Sequence, residues 1–251
     1  MLKRVLAGSV LVLAVFGVVA CGPKQPSKIV IASDATFPPM EMVDENKAIV
    51  GFDVDLMNAA AKAGGFAVEF KNTAWDGIFA GLDAGKYDAV MSSVTITDDR
   101  KKTMDFSVPY INAGQVVVVK SEVNNVTKLA DLKGKTVGCQ IGTTGAFAID
   151  KEKDADKITE KTYDEIGLAF EDLANGRIAG VVIDSPVAAN YALQNPNYKG
   201  KLKIVGEPFT QEYYGVAVKK GNTKLLDMIN AGLKKVIDTD DYKALEQKWL
   251  K

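Results

Sequence analysis

Histidine is absent from all 251 residues. That absence removes the usual general base of a nucleophile triad, the commonest imidazole metal ligand and the ordinary switch at physiological pH. Cysteine is nearly as scarce. Cys21 and Cys139 are the whole supply, and two isolated thiols make neither a zinc site nor a disulfide framework. No donor set here calls for a metal or an organic cofactor. A charge of one sign is missing as well: 31 basic and 32 acidic residues give a formal net charge of −1. No basic stripe runs along the chain, which argues against nucleic acid as a partner. After the first twenty residues there is no run long and apolar enough to span a bilayer, which takes about 20 residues. What is present, 47% hydrophobic and 25% charged residues, buries a sizeable core as one large domain or two small ones.

The first twenty residues differ from the rest. Lys3 and Arg4 form a short positive region, and 5–19 is an almost unbroken apolar run. It is short for a transmembrane helix and fits the core of a signal peptide. The run ends at Val18-Val19-Ala20-Cys21, ahead of Gly22-Pro23-Lys24-Gln25-Pro26-Ser27. This resembles the bacterial lipobox. The resemblance implies a signal peptide over 1–20, cleavage before Cys21, diacylglycerol on the Cys21 sulfur and a lipidated linker over 21–27. Two acyl chains hold a protein at a bilayer where one gives only marginal binding. The plainer alternative is an uncleaved anchor with an incidental cysteine, which leaves the order of charge, apolar core, small residue, cysteine and polar linker unexplained. With Cys21 lipidated, Cys139 has no partner and reads as a small buried apolar residue on a strand.

From Lys28 onward short apolar strands alternate with amphipathic helices. Ile29-Val30-Ile31-Ala32 reads as a buried strand. Gly51 leads to a helix start at Asp53, with Leu56, Met57, Ala60 and Ala61 on one face and Gly64-Gly65 as the stop. Val68-Glu69-Phe70 and Ala89-Val90-Met91 are further strands, separated by a short helix carrying Ile78, Phe79 and Leu82. This alternation predicts a mostly parallel sheet covered by helices. It then echoes itself: Leu82-Asp83-Ala84-Gly85-Lys86-Tyr87-Asp88-Ala89-Val90-Met91 runs like Leu173-Ala174-Asn175-Gly176-Arg177-Ile178-Ala179-Gly180-Val181-Val182. Two similar α/β halves are the economical reading. Gln115-Val116-Val117-Val118-Val119 between them and Tyr214-Gly215-Val216-Ala217-Val218 late in the chain read as two linking strands. Helices carrying Leu225, Ile229 and Leu233, then Tyr242, Leu245 and Trp249, close the chain.

Four polar clusters follow strands, where ligands of open α/β sheets bind. Asp34-Ala35-Thr36-Phe37 offers a carboxylate and a flat ring, or an ordinary loop with a capping aspartate. Ser92-Ser93-Val94-Thr95-Ile96-Thr97-Asp98-Asp99-Arg100 places hydroxyls ahead of an arginine able to grip a carboxylate bidentately, or a helix cap with a solvated arginine. Gly142-Thr143-Thr144-Gly145 precedes a helix whose first N–H groups suit an anion; it lacks the Walker A lysine and the dinucleotide fingerprint. Asp184 ends a strand, either to hold an ammonium or to cap the next helix. Phe37 and Trp75 are core residues or flat walls of a site. Together Arg100, the Thr144 amide, Asp184, Phe37 and Trp75 describe a cradle for an α-amino acid.

Five motifs carry a wider resemblance: Phe37-Pro38-Pro39, Gly51-Phe52-Asp53-Val54-Asp55-Leu56, Thr95-Ile96-Thr97-Asp98-Asp99-Arg100, Phe106-Ser107-Val108-Pro109-Tyr110 and Tyr214-Gly215-Val216-Ala217-Val218. Over 28–251 the chain resembles the polar amino acid-binding proteins of ABC importers, solute-binding family 3, which include glutamine- and lysine/arginine/ornithine-binding proteins. The resemblance implies an α/β fold of the two-lobed type II periplasmic-binding-protein clamp. Each lobe would be a mixed, mostly parallel sheet flanked by helices, with two crossover strands as hinge. Lobe 1 would be 28–117 plus 213–251 and lobe 2 would be 118–212. It also implies roles. Arg100 would hold the α-carboxylate with the amides of Thr95 and Thr144, and the Ser92, Ser93 and Thr143 positions would line the site. The Ser93 main chain, the Thr95 hydroxyl and Asp184 would receive the ammonium. Phe37 and Trp75 would sandwich the side chain, and Asp34 would face its far end. Gln140 stands where glutamine binders of the family carry lysine. Ala61 and Val68 stand where the lysine/arginine/ornithine binders carry a disulfide.

The implied protein is an exported membrane lipoprotein facing the periplasm or the cell exterior. It would be a monomer that captures a free L-amino acid and passes it to the permease of an importer. Asp34 between two aromatic faces suits a cation, hence arginine or another basic amino acid; Gln140 suits a side-chain amide, hence glutamine as the alternative. Two other classes share the cleft. Cyclohexadienyl dehydratases resemble these binders, with a buried carboxylate such as Asp184 as proton donor. Receptor input domains carry transmembrane and output segments in addition.

Overall fold

The computed structural model describes residues 28–251, the side chains of 153–156 excepted. The leader 1–20, Cys21 and the linker to residue 27 lie outside the described residues. The apolar run Ile29–Ser33 forms a strand with parallel neighbours on both sides, Val68–Asn72 and Ala89–Val90. Ala217–Lys219 adds antiparallel to Ala89–Val90, and Met104–Phe106 closes the sheet beyond it. A second sheet repeats the plan. Thr136–Gln140 lies between the parallel strands Thr159–Tyr163 and Gly180–Asp184. Gln115–Lys120 adds antiparallel to Gly180–Asp184, and Leu202–Val205 closes that sheet. The segments that echo in sequence thus occupy equivalent places, Ala89–Val90 matching Gly180–Asp184, and the central strands Ile29–Ser33 and Thr136–Gln140 correspond as well. The fold is two mixed, mostly parallel sheets, each the centre of one lobe.

The helices form where the apolar periods fall. Helix Phe52–Gly64 buries Phe52, Leu56, Met57, Ala60 and Ala61. Each large apolar side chain buried there contributes about 1.5–3 kcal/mol. Gly65, at φ 74°, ends it in the left-handed region that favours glycine. Asp53 is no exposed first-turn acid: it is fully buried and accepts from Ser93 N at 2.9 Å and Tyr110 Oη at 2.7 Å. Cys139 is a buried strand residue, and its surroundings push the thiol well above its ordinary range, chiefly by burial. Helices Thr223–Leu233 and Asp240–Trp249 pack back on Phe52–Gly64, so the chain ends on the lobe where it began.

The return segment departs from expectation. A single strand over 214–218 reads naturally from its apolar residues, yet the structure breaks it in two. Tyr213–Tyr214 pairs with Ile111–Asn112 in a two-stranded ribbon, whereas Ala217–Lys219 enters the first sheet. The break falls at Gly215, where a Cβ would come within 2.8 Å of Ile96 Cδ1. Glycine there lets the segment pass close to that side chain. The ribbon is where the chain passes between lobes. There Gly114 lies so close to the return segment that a Cβ would overlap Thr210 O and stand 2.8 Å from Pro208 Cβ.

Candidate functional site

Between the two sheets lies a cleft holding about 310 Å³ of empty space, its opening to solvent included. Its wall contains Asp34, Phe37, Trp75, Ser92, Ser93, Thr95, Arg100, Gln140, Thr143, Thr144 and Asp184. All eleven residues singled out from the sequence therefore meet in one place, from five separate stretches of chain.

Arg100 rides on the short helix Asp98–Thr103, whose cap Thr97 accepts from Arg100 N at 3.2 Å. Its guanidinium lies against a pair of rings that meet edge to face, 5.5 Å from the Trp75 centroid and 5.1 Å from that of Phe79. Nη1 donates to Thr95 O at 2.9 Å, and Nη2 reaches Gly142 O of the opposite lobe at 3.4 Å. Two of its five N–H groups are thus fixed on main chain, and the rest of the planar fork remains for an anion. Burial lowers its pKa to about 10, against the pull of Asp184 and Glu212, so it stays charged at neutral pH. Across the cleft, Thr143 caps helix Thr144–Asp156, donating to Gln140 O at 2.8 Å and accepting from Ala146 N at 3.3 Å. The first N–H groups of a helix have no intrahelical acceptor, so this end and Arg100 present donors to the same space.

Asp184 terminates strand Gly180–Asp184 and makes no side-chain cap to the helix that follows. The capping alternative is thereby set aside, and the buried side chain lines the cavity instead. Burial, with the Glu212 carboxylate second, pushes its pKa up to about 7.

Asp34 is buried at the other end. Oδ1 accepts from Thr36 Oγ1 at 2.8 Å, and Oδ2 accepts from Gln140 Nε2 of the second lobe at 2.9 Å. Burial raises its pKa, while the bonds from Thr36 and Gln140 oppose the rise. Gln140 Nε2 also donates to Asp164 O at 2.9 Å. Both amide hydrogens of Gln140 are then spent. A flipped amide would set its oxygen against two other acceptors, so the orientation is dictated by the network. Gln140 offers this end of the cavity an acceptor oxygen, not a donor.

Two residues escaped the sequence reading. Glu41, fully buried, lines the cavity floor and accepts from Ser92 Oγ at 3.1 Å and Ser93 Oγ at 3.2 Å. Burial, and after it the adjoining Asp53 carboxylate, holds its carboxyl well above the usual range. Ser93, bonded through N–H to Asp53 and through Oγ to Glu41, is held at φ 50°, a region non-glycine residues seldom adopt. Glu212, on the return segment, touches both lobes. The only sequence signal was an acid inside an otherwise apolar or aromatic stretch, one residue after the Pro-Pro cluster's Met40 and two before Tyr214.

A cavity walled by two α/β lobes and equipped with one arginine and several acids has counterparts. The model of the bacterial extracellular solute-binding proteins, family 3, matches residues 29–251. The chain belongs to this family. A probable histidine-binding protein of Neisseria gonorrhoeae is 43% identical over 226 residues, covering 89% of this chain and 84% of its own. A putative ABC transporter arginine-binding protein of Escherichia coli is 38% identical over 224 residues, 87% of this chain and 88% of that one. Among solved structures, an ancestral arginine-binding protein bound to arginine superposes with a TM-score of 0.84 at 43% identity, covering 91% of this chain and all of that one. The fold is the two-lobed clamp of extracytoplasmic amino acid-binding proteins. The chain is an amino acid-binding protein of the ABC transporter kind, not an enzyme.

Proposed function

We propose that the protein captures free arginine, or another amino acid with a cationic side chain, between its lobes and delivers it to an ABC importer. The observation that carries the side-chain preference is the Asp34–Gln140 pair. Because Gln140 spends both amide hydrogens, this end of the cavity presents a carboxylate and a carbonyl, acceptors alone. A guanidinium fills such a site with N–H donors. The amide oxygen of glutamine finds no donor from either group, and an unpaired buried acceptor costs about 1–3 kcal/mol. The arginine-binding relative and the arginine-bound structure support the same choice; the histidine-binding relative makes histidine the second candidate.

In this reading Arg100 and the start of helix Thr144–Asp156 hold the α-carboxylate. Asp184, the Thr95 hydroxyl and the Ser93 carbonyl receive the α-ammonium, and Phe37 and Trp75 flank the side chain. The lobes comprise 28–114 with 213–251, and 115–212, because the crossover strand Gln115–Lys120 pairs wholly within the second sheet and moves the boundary expected at 117 back to its start. The leader 1–20 directs export, and lipid on Cys21 anchors the monomer at the outer face of the cell membrane.

A thermal-shift screen against the twenty amino acids with ornithine and citrulline, on protein refolded to strip carried-over ligand, tests this. Ligand at 100 times its dissociation constant stabilises the fold by about 2.7 kcal/mol. The largest shift is expected with arginine; a shift with glutamine alone would overturn the side-chain assignment, and no shift with any would overturn the function.

The pKa of Asp184 gives binding a pH dependence. An unfolded aspartate ionises near ~3.9, whereas Asp184 in the empty site ionises at about 7. Between these values the folded chain holds a proton the unfolded chain has lost. This group's contribution to stability is therefore full below pH ~4 and is lost as pH rises through about 7. A ligand ammonium reverses the preference by giving the carboxylate a partner, so binding below pH 7 must expel the proton. Arginine affinity is expected to rise from pH 5.5 to 8, by up to about tenfold per unit on the acid side. Calorimetric titration across that range checks it; a flat or falling profile would remove Asp184 from the ammonium site.

A further inference from the structure

Glu212 has no place among the ligand contacts just assigned, yet it is buried at the meeting point of three parts of the molecule. Its main chain belongs to the hinge: its carbonyl accepts from Ala113 N of the outgoing segment at 2.9 Å, and Tyr213–Tyr214 follows at once. Its side chain reaches both lobes. Oε2 accepts from Thr95 Oγ1 of lobe 1 at 2.9 Å and from Thr144 Oγ1 of lobe 2 at 2.7 Å. Gln115 Nε2 stands 3.4 Å from the same oxygen, and Thr210 Oγ1 donates to Oε1 at 2.7 Å. The two lobe hydroxyls lie only 3.4 Å apart across the cleft.

We propose that Glu212 is the closure latch of the clamp, a hinge carboxylate that bonds one hydroxyl from each lobe only while the lobes are together. The inference rests on the clamp reading above and adds the element that holds the clamp shut. A ligand shifts the open–closed balance only through contacts that differ between the two states. Thr95 and Thr144 ride on opposite lobes, so separation of the lobes must break at least one of their bonds to the shared oxygen. Hydrogen bonds to a charged acceptor are the stronger kind. In the open form water can solvate the freed carboxylate, so opening leaves no buried group unpaired.

The latch also sets the polarity of the site. A threonine hydroxyl has one hydrogen. With that hydrogen given to Glu212, the Thr95 oxygen keeps lone pairs only, the correct polarity for an ammonium. Thr144 Oγ1 likewise accepts from Gln115 Nε2 at 3.1 Å. Ligand recognition and closure then share the same two hydroxyls. None of these contacts involves the ligand side chain, so the latch acts equally on every amino acid that fits.

The test uses the full chain and its Glu212→Ala, Glu212→Gln and Thr144→Val variants. Small-angle scattering at saturating arginine reports closure, and stopped-flow fluorescence of Trp75, which sits against Gly142 of the second lobe, reports dissociation. Glu212→Ala is expected to raise the dissociation rate at least tenfold, equally for arginine and for any second amino acid that binds, and to enlarge the radius of gyration. Glu212→Gln, which keeps an acceptor oxygen, should recover part of the loss. Combined with Thr144→Val, the alanine change should add less than its single effect, because the two remove one bond. If wild-type protein closes on arginine and Glu212→Ala does so with a dissociation rate within twofold, whatever its melting temperature, Glu212 is only a structural filler of the hinge. If wild-type protein neither binds nor compacts with any amino acid, the clamp reading falls and takes the latch with it.

Discussion

Replacement of Arg100 with alanine is expected to abolish detectable binding of every α-amino acid, with the fold intact. Among the described residues the guanidinium is the sole cation lining the cavity, beside Asp34, Glu41 and Asp184. Without it the α-carboxylate of any ligand enters a space otherwise lined with acids and meets no counter-charge. Removing one member of a buried ion pair costs about 3–5 kcal/mol, two to four orders of magnitude in affinity at ~1.4 kcal/mol per tenfold. Arg100→Lys separates charge from geometry. Lysine keeps the charge but cannot at once bond Thr95 O, lie against the Trp75 and Phe79 rings, and present a planar fork. A loss of about tenfold to a hundredfold is expected for it. Calorimetric titration with arginine, lysine, histidine and glutamine checks both variants. Retention of any ligand by Arg100→Ala within tenfold of wild type would place the carboxylate elsewhere.

Replacement of Asp34 with asparagine is expected to split the ligands instead of silencing them all. Asparagine has the shape of aspartate. Its oxygen can still accept from Gln140 Nε2, and its amide can donate to Thr36 Oγ1, whose hydroxyl turns to suit. The variant therefore keeps the bridge between the lobes and loses the charge. A hydrogen bond to a charged group is worth about 1.5–3 kcal/mol, so arginine and lysine should lose roughly tenfold to a hundredfold in affinity. Glutamine, which has no side-chain charge to pair, should change by less than about threefold. Titration of the same four ligands gives the ratio. Equal losses for arginine and glutamine would mean that Asp34 shapes the cavity without reading the ligand's charge.

Much of this architecture was legible in the residues, for identifiable reasons. Strands such as Ile29–Ser33 and Gly180–Asp184 are buried on both faces and read as unbroken apolar runs. The helix Phe52–Gly64 carries its period on one face and a glycine stop at its end. The candidate site was legible because its residues follow strand ends, and strand ends of both sheets face one cleft. What stayed hidden was set by tertiary approach. The split of 214–218 follows its two different partners, Ile111–Asn112 and Met104–Phe106, which no local pattern encodes. Glu41 and Asp53 read as ordinary acids of a loop and a helix start; only the packing of Ser92, Ser93 and Tyr110 over them shows two adjoining buried acids. Glu212 gained its meaning from two threonines 117 and 68 residues away. Gln140 suits a ligand amide on sequence grounds, and only the direction of its two N–H bonds shows that neither hydrogen is left for a ligand.

The most direct test of the central claim compares two ligands of nearly the same shape. Citrulline is arginine with a neutral ureido group in place of the guanidinium, an oxygen acceptor where arginine has a donor. Isothermal titration of ligand-stripped protein with each isolates the charge that Asp34 and Gln140 are arranged to receive. The account predicts arginine tighter by at least about tenfold, ~1.4 kcal/mol, with the difference lost in Asp34→Asn. Citrulline or glutamine bound as tightly as arginine would contradict it.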